Sequence, residues 1–298
     1  KWLQIRCSSS ALTFVQKLDT SFGWTDAKGN FELPWNALFG FNPGTWEETV
    51  LRWYRPFALS CRWGEKSILE RDITPWMLDA DVWIRPQDVN EEQMEGVRKA
   101  IAAFGKDLGI HWYYWHEHPH DVLYPDYFPA QDGFKDYVAE AQSLGAHVTP
   151  YTNGRLWDPA TKEYKKLSGA KASCRRLDGK LYTEVYSSRA VNTVTCPASP
   201  IWQKIQMNIR KTLLEEYKTD GVYIDQVGAA ASMPCYATNH GHAPGAGCWW
   251  PEAYRDLLTR MRSELYSPNQ AMTTEENAEC YIDLFDMMLV VNGPHTPT

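Results

Sequence analysis

From residue 76 onward, short apolar runs alternate with amphipathic stretches of helical period, and no other feature narrows the fold as much. Apolar runs of this kind suit strands buried on both faces of a parallel sheet, and the stretches between them suit crossover helices. The run 82–85 reads as strand one, and a helix is expected at about 91–105, where Met94, Val97, Ile101 and Phe104 recur at helical spacing. Strand two is 110–115, followed by a helix near 133–144 with Phe134, Tyr137, Val138, Ala141 and Leu144 on one face. Strand three is 147–151, strand four 221–226, strand five 271–275, and 285–291 is apolar enough for a sixth. Ser199 and Pro200 form an N-cap and first-position pair, after which Ile201, Ile205, Ile209, Leu213 and Tyr217 repeat every four residues. Pro251 opens a last helix with Leu257, Leu258, Met261 and Leu265 inward. Between strands three and four an excursion over about 155–198 has β character at 181–186 and 191–195, which predicts an inserted hairpin.

Six such units in succession predict an α/β fold, a (β/α)8 TIM barrel truncated after strand six, with an open α/β sheet as the alternative. Residues 1–75 lack the alternation, are rich in Trp and Pro, and read as a lead-in from a preceding domain. Residues 76–298 then form the incomplete barrel. The chain starts at Lys1 without a Met, which reads as a processed or excised piece.

Charge and composition exclude some functions. The 30 Lys and Arg against 37 Asp and Glu give a net charge of −7, which argues against a nucleic-acid partner. No stretch approaches the roughly 18 apolar residues of a membrane span. The 14 Trp, 16 Tyr and 10 Phe suit a large core and also a surface that stacks the flat faces of sugar rings. Seven Cys, an odd number without CxxC spacing, give no readable disulfide framework.

The active site of a (β/α)8 barrel lies at the C-terminal ends of its strands, and those ends are loaded with polar residues here. Strand one closes on Arg85, strand two on His116, Glu117 and His118, strand three on Tyr151 and Asn153, strand four on Asp225 and Gln226, and strand five on Glu275 and Glu276. Asp225 and Glu275 end adjacent strands, so their carboxyl groups can flank one bond. Glycoside hydrolysis needs such a pair, one group to attack or stabilise the anomeric carbon and one to protonate the leaving oxygen. Neighbouring strands favour the short separation that goes with retention. Glu276 and Glu279 compete for the acid role, but the pleat turns Glu276 away and Glu279 lies a turn further on.

Supporting roles fall to Arg85, His116, Glu117, Tyr151, Asn153, Asp158, Gln226, His240, His242, Trp249 and Glu279 as substrate contacts. Asn153 followed by Gly154 also reads as a plain turn. Trp112, Tyr114, Trp115, Trp157, Trp249 and Trp250 are the candidates for stacking. Cys235, His240, His242 and Cys248 have ligand types that suit zinc, but their C-x4-H-x-H-x5-C spacing is not a usual structural-zinc pattern. No metal and no cofactor is expected on this reading. A second group, His116, His118 and His120 with Glu117 and Asp121, closes strand two.

The strings LYPDYFPA (123–130), PYTNGRLWD (150–158), GVYIDQVGAA (221–230), NHGHAPGAG (239–247) and TTEENAECYIDLFD (273–286) resemble those of a bacterial family known only as a domain of unknown function and grouped with glycoside hydrolase TIM barrels. The Asp closing strand four and the Glu closing strand five are similar to the pair of the endo-α-N-acetylgalactosaminidase family. That resemblance covers about residues 76–290 and implies Asp225 as nucleophile and Glu275 as acid/base. The chain departs from it in ending before strands seven and eight. The function expected is a retaining glycosidase acting on an α-linked oligosaccharide or glycoconjugate, secreted, periplasmic or at the cell surface. The alternatives are a non-catalytic carbohydrate-binding barrel and a metal-dependent hydrolase that uses the His clusters.

Overall fold

The computed structural model describes residues 2–7, 12–17, 40, 42–276 and 278–291. Six parallel strands, β1 (Trp83–Ile84), β2 (Gly109–Trp112), β3 (His147–Asn153), β4 (Gly221–Asp225), β5 (Ala271–Glu275) and β6 (Met287–Leu289), make one sheet in chain order. A doubly wound sheet reverses its strand order at a switch point. This sheet does not reverse, and it curls into a half-barrel.

Four helices follow the expected spacing: α1 (Glu91–Phe104), α2 (Phe134–Ser143), α3 (Pro200–Glu215) and α4 (Trp249–Leu265). Asn90 caps α1 by accepting from the Gln93 N–H, and Gly105 ends it at φ 94°, a backbone conformation that glycine adopts without penalty. Ser199 stands at the N-cap position of α3, but its hydroxyl makes no cap bond. The buried stripe of α3 is Trp202, Gln206, Ile209, Arg210, Leu213 and Leu214, rotated from the expected every-fourth pattern. Trp202 is drawn inward by a small second core with Trp157, Tyr164 and Ala172, leaving Ile201 and Ile205 half-buried at its edge. That core belongs to the excursion after β3. The expected hairpin is there as Thr183–Val185 paired with Val191–Val194, and Leu156–Trp157 adds a third antiparallel strand.

Strand faces follow from register. Arg210 on α3 donates to the Thr152 hydroxyl, so Thr152 and its cross-strand partner Ile224 face the helices. Tyr151 with its partner Tyr223, and Asn153 with its partner Asp225, must then face the concave side. Thr273 pairs with Tyr223, so Glu275, two residues on, shares that concave face.

Ahead of the sheet, Trp2–Cys7 and Leu12–Lys17 pair antiparallel, and residues 46–60 are helical. The segment 62–74 docks on the β5–β6 side: Arg62 pairs with Glu252 at 2.6 Å, Arg71 donates to the Ile282 carbonyl at 2.5 Å, and the Thr74 N–H donates to Asp286 at 3.2 Å. Among the described residues no helix is long and apolar enough to cross a membrane.

Candidate active site

Asp225 ends β4 almost wholly buried, at 6% exposure. Its Oδ1 accepts the Gln226 N–H at 2.5 Å, and its Oδ2 accepts the Tyr151 hydroxyl at 2.5 Å and, more weakly, the Asn153 amide at 3.5 Å. Glu275 ends the next strand on the same concave face, and its carboxyl acts on that of Asp225. Burial pushes the Asp225 carboxyl well above the usual carboxylate range, and the hydrogen bond with Glu275 and its charge push it the same way. The Tyr151 hydroxyl and the Gln226 N–H oppose both effects by bonding the ionised form.

The backbone holds both carboxylates in the same manner. Gln226 and Glu276, each directly after its carboxylate residue, sit in the left-handed region at φ 66° and 59°. Such conformations are sparsely populated for side chains of this kind and are fixed here by surrounding bonds. Glu276 donates its N–H to the Leu289 carbonyl and accepts the Val291 N–H. Two glycines let neighbouring chain close in. A Cβ at Gly154 would lie 2.6 Å from a Val227 methyl, and one at Gly228 only 2.5 Å from the Glu275 carbonyl oxygen.

Beside the pair stands an aromatic wall. His111, Tyr113, Tyr151 and Tyr223 line the concave face, with ring centroids 4.0 Å apart for His111 and Tyr223 and 4.6 Å for Tyr113 and Tyr151. His120 stacks on Tyr113 at 4.5 Å and hydrogen-bonds the Tyr113 and Tyr124 hydroxyls through its two ring nitrogens. Arg85 lies over the Tyr113 ring at 4.9 Å. Burial, and then the charge of Arg85, lowers His111 to about 3 and His120 to about 4, so both rings are neutral.

Of the six aromatic candidates for stacking, a minority is expected to reach ligand. Trp112, Trp115 and Trp157 have no exposed surface and Trp250 has 4%, so all four are core. Sequence reasoning named His116 where His120 reaches the wall. His116 is buried against Trp115, Tyr124 and Tyr127. Glu117 is exposed and lines a depression with Gln87, Asp88, Tyr114, His116 and His118.

The remaining predicted residues divide between the site and the scaffold. Gln226 accepts from Arg155 at 3.3 Å and donates to the Tyr186 hydroxyl at 3.0 Å. The buried Arg155 pairs with Glu184 at 2.6 Å, and Glu184 accepts the Tyr186 hydroxyl at 2.8 Å. This network ties the excursion after β3 to the residue next to Asp225, and its Arg and Glu were not singled out by the strand-end pattern. Asn153 accepts the Arg155 and Leu156 N–H groups through Oδ1, which is the turn reading of that residue. Asp158 accepts from the backbone of Leu123 and Ala160 with both oxygens and so fastens two loops. Glu279 is bonded by the Tyr54 hydroxyl of the lead-in.

His240 and His242 converge with two thiols. Cys196, Cys235, His240 and His242 present ligand atoms within 4.8 Å of one another, the only such cluster among the described residues. Cys248, the fourth residue of the group considered in the sequence, is exposed and outside this cluster. Cys196, at the end of the inserted hairpin, takes its place. Hydrogen bonds from Cys174 and Cys196, then from His240 and His242, pull the Cys235 thiol well below its ordinary value, whereas burial pushes Cys174 and Cys196 up. Trp249 stacks on His242, with centroids 3.6 Å apart.

The relatives of this chain are larger proteins. It is 58% identical over 295 residues to a Bacteroides thetaiotaomicron protein named "Putative glycoside hydrolase", matching 99% of this chain and 44% of that protein. It is 30% identical over 287 residues to a similarly named protein of Monosiga brevicollis, matching 86% of this chain and 24% of the relative. The chain therefore spans less than half the length of these curated relatives. Among solved structures, α-N-acetylgalactosaminidase NagBb from Bifidobacterium bifidum in complex with GalNAc has the same fold, with a TM-score of 0.63 at 14% identity over 82% of this chain and 44% of NagBb. Its complex with Gal-NHAc-DNJ gives 0.61 at 12% identity over 80% of this chain and 41% of that one. The family model described as a domain of unknown function, DUF6259, matches residues 31–296, and the chain belongs to that family.

Proposed function

We propose that this chain contributes the strand-end carboxylates of a retaining glycoside hydrolase built on a (β/α)8 barrel, with Asp225 as nucleophile and Glu275 as acid/base toward an α-linked glycan. One observation carries the reading: Asp225, buried at the end of β4, is held by donors on both oxygens with the carboxyl of Glu275 beside it. A nucleophile must be fixed and ionised when sugar is bound, and the Tyr151 hydroxyl and Gln226 N–H favour that form. The acid must deliver a proton to the leaving oxygen, and Glu275 is the less buried of the two and so the freer to swing. Inversion places a water between base and sugar and separates the carboxyls by about 6.5–9.5 Å, whereas retention needs about 5–5.5 Å. Carboxylates at the ends of adjacent strands on one face favour the shorter distance. Of the aromatic wall, Tyr113 and the neutral His120 keep exposed surface and offer a ring face and an uncharged hydrogen-bonding group to a sugar, with His111, Tyr151 and Tyr223 buried behind them. The names of the curated relatives and the glycosidase activity in the name of NagBb support the same reaction class. The proposed setting is secreted, periplasmic or cell-surface, where glycan polymers are met.

The test uses the full-length protein against aryl α- and β-glycosides and a panel of natural glycans. Asp225→Asn and Glu275→Gln should each lower kcat by roughly 10³-fold or more with folding intact. With an activated substrate, azide should rescue a Glu275→Ala variant and leave a glycosyl azide of the substrate's own anomeric configuration. The opposite anomer from that variant would overturn retention, and wild-type turnover by Glu275→Gln would overturn the acid assignment.

A further inference from the structure

We infer that Cys196, Cys235, His240 and His242 form a structural zinc site that staples the excursion after β3 to the loop after β4. The four ligand atoms lie within 4.8 Å of one another. The Cys196 Sγ stands 3.3 Å from the His242 Nε2, and the Cys235 Sγ 3.5 Å from the His240 Nδ1. Tetrahedral zinc with bonds of about 2.3 Å to sulfur and 2.0–2.1 Å to nitrogen puts those atoms about 3.5 Å apart. Both imidazoles are oriented for it. His240 directs Nε2 at the Lys171 carbonyl at 2.7 Å, and His242 directs Nδ1 at the Ala243 carbonyl at 2.9 Å. An N–H donated to each carbonyl leaves the other nitrogen as a lone pair aimed at the thiols, the arrangement that metal-binding histidines adopt.

The thiols are prepared as well. Cys196 and Cys235 are wholly buried, and the Arg175 N–H donates to the Cys235 Sγ at 3.5 Å, which suits a thiolate. Cys235 is also held by paired backbone bonds to Gly245. Cys174 lies close by, but its Sγ, 3.5 Å from the Thr195 carbonyl oxygen, is not one of the four ligand atoms that meet within 4.8 Å of one another. Two thiolates and two imidazoles in a tetrahedral cage select Zn2+, and four protein ligands leave no position for a reacting water. Binding releases two thiol protons to solvent.

The consequence is mechanical. Lys171, Arg175 and Cys196 come from the excursion, and Cys235, His240 and His242 from the loop that starts at Gln226. The staple therefore joins the two loops linked near Asp225 by the contact of Arg155 with Gln226. Their loss of order on metal removal is a property distinct from catalysis.

The full chain, purified without added metal or chelator, should hold about one zinc ion by plasma mass spectrometry, released when a mercurial thiol reagent is added with a chromogenic chelator. Cys235→Ser and His240→Ala should lose it, and Cys248→Ser should keep it. Should the ligand variants fail to fold, the wild-type chain exchanged with Co2+ reports instead, through the visible bands of tetrahedral cobalt with thiolate ligands. On metal release, hydrogen exchange should rise several-fold in residues 155–198 and 226–248 and stay unchanged in β3 and β4. A wild-type chain with less than about 0.2 zinc that also takes up no Co2+, a Cys196–Cys235 disulfide in the mass spectrum, or zinc retained by a Cys196→Ser/Cys235→Ser double variant would each overturn the site. Glycosidase activity enters none of these readouts, so the zinc site stands or falls apart from the proposed reaction.

Discussion

Tyr151 donates its hydroxyl to the Oδ2 of Asp225 from the strand next to the one that ends in that carboxylate. The bond favours the ionised carboxylate against the burial and the Glu275 contact that favour the proton. Tyr151→Phe keeps the ring and its packing and removes only the donor. Hydrogen bonds to a charged group contribute about 1.5–3 kcal/mol, so kcat should fall roughly 10- to 150-fold. The acidic limb of the pH–rate profile should also move to higher pH, because Asp225 loses a donor that holds its value down. A profile unchanged in position would show that the hydroxyl does not tune Asp225.

The raised Asp225 also makes a statement about stability. A carboxyl whose folded value lies above its unfolded one contributes its full stability below the unfolded value of about 3.9, and that contribution is lost as pH rises through the folded value. At neutral pH the buried Asp225 carboxyl is therefore a cost that the fold carries. Asp225→Asn should melt higher than wild type at pH 7, by at least about 2 °C, the shift that roughly 1 kcal/mol produces in a domain of this size. The gain should close as pH falls to about 4, where wild-type Asp225 is protonated. Calorimetry at the two pH values decides it, and a lower melting temperature for the variant at pH 7 would contradict the electrostatic reading.

Both carboxylates were legible in the sequence because apolar strand runs such as 221–224 end abruptly on a polar residue, and the two-residue pleat carries the concave face from Tyr223 to Asp225 and from Thr273 to Glu275. Beyond β2 that logic stops. The strand ends at Trp112, and the segment after it turns through left-handed residues at Asp121 and Leu123, so spacing does not tell which His meets the wall. His120 does so and His116 does not. Asp158 looked like a sugar ligand because its side chain is polar and near a strand end, yet loop backbone claims both its oxygens. Cys196 was missed as a partner of Cys235 because the fold brings together residues 39 apart, whereas a spacing pattern looks for ligands near at hand. Abundance of tryptophan says nothing about side, so the sequence did not tell which of the six candidates are core, and Trp112, Trp115 and Trp157 all point into packed cores.

Gly228 approaches the end of β5 so closely that a Cβ there would meet the Glu275 carbonyl oxygen at 2.5 Å and the Glu276 carbonyl oxygen at 3.2 Å. Backbone cannot yield as a side-chain tip does. Gly228→Ala should therefore displace the turn that aims Glu275, at a stability cost of about 1–3 kcal/mol, as overpacking usually brings. The acid should suffer more than the fold, because small misplacement of a catalytic group is expensive in rate. Expected is a kcat reduced at least about 10-fold with KM little changed and the melting transition still cooperative. Equal turnover by the variant would mean that this contact does not position Glu275.

Arg155 and Glu184 form a pair with 1% and 21% side-chain exposure at 2.6 Å, and Arg155 reaches on to Gln226 beside Asp225. Removing one partner of a buried pair leaves an uncompensated charge and costs about 3–5 kcal/mol, while removing both can be nearly neutral. Glu184→Gln should fall at the lower end of that range because Glu184 is partly exposed. Arg155→Met should lose Gln226's donor as well, loosening the residue whose N–H bonds Asp225. Denaturant unfolding of the two single variants and of Arg155→Met/Glu184→Met should give a double variant more stable than Glu184→Gln alone. Its kcat should nevertheless stay low, since neither replacement holds Gln226. A double variant with wild-type turnover would show that the network braces the excursion without reaching the catalytic pair.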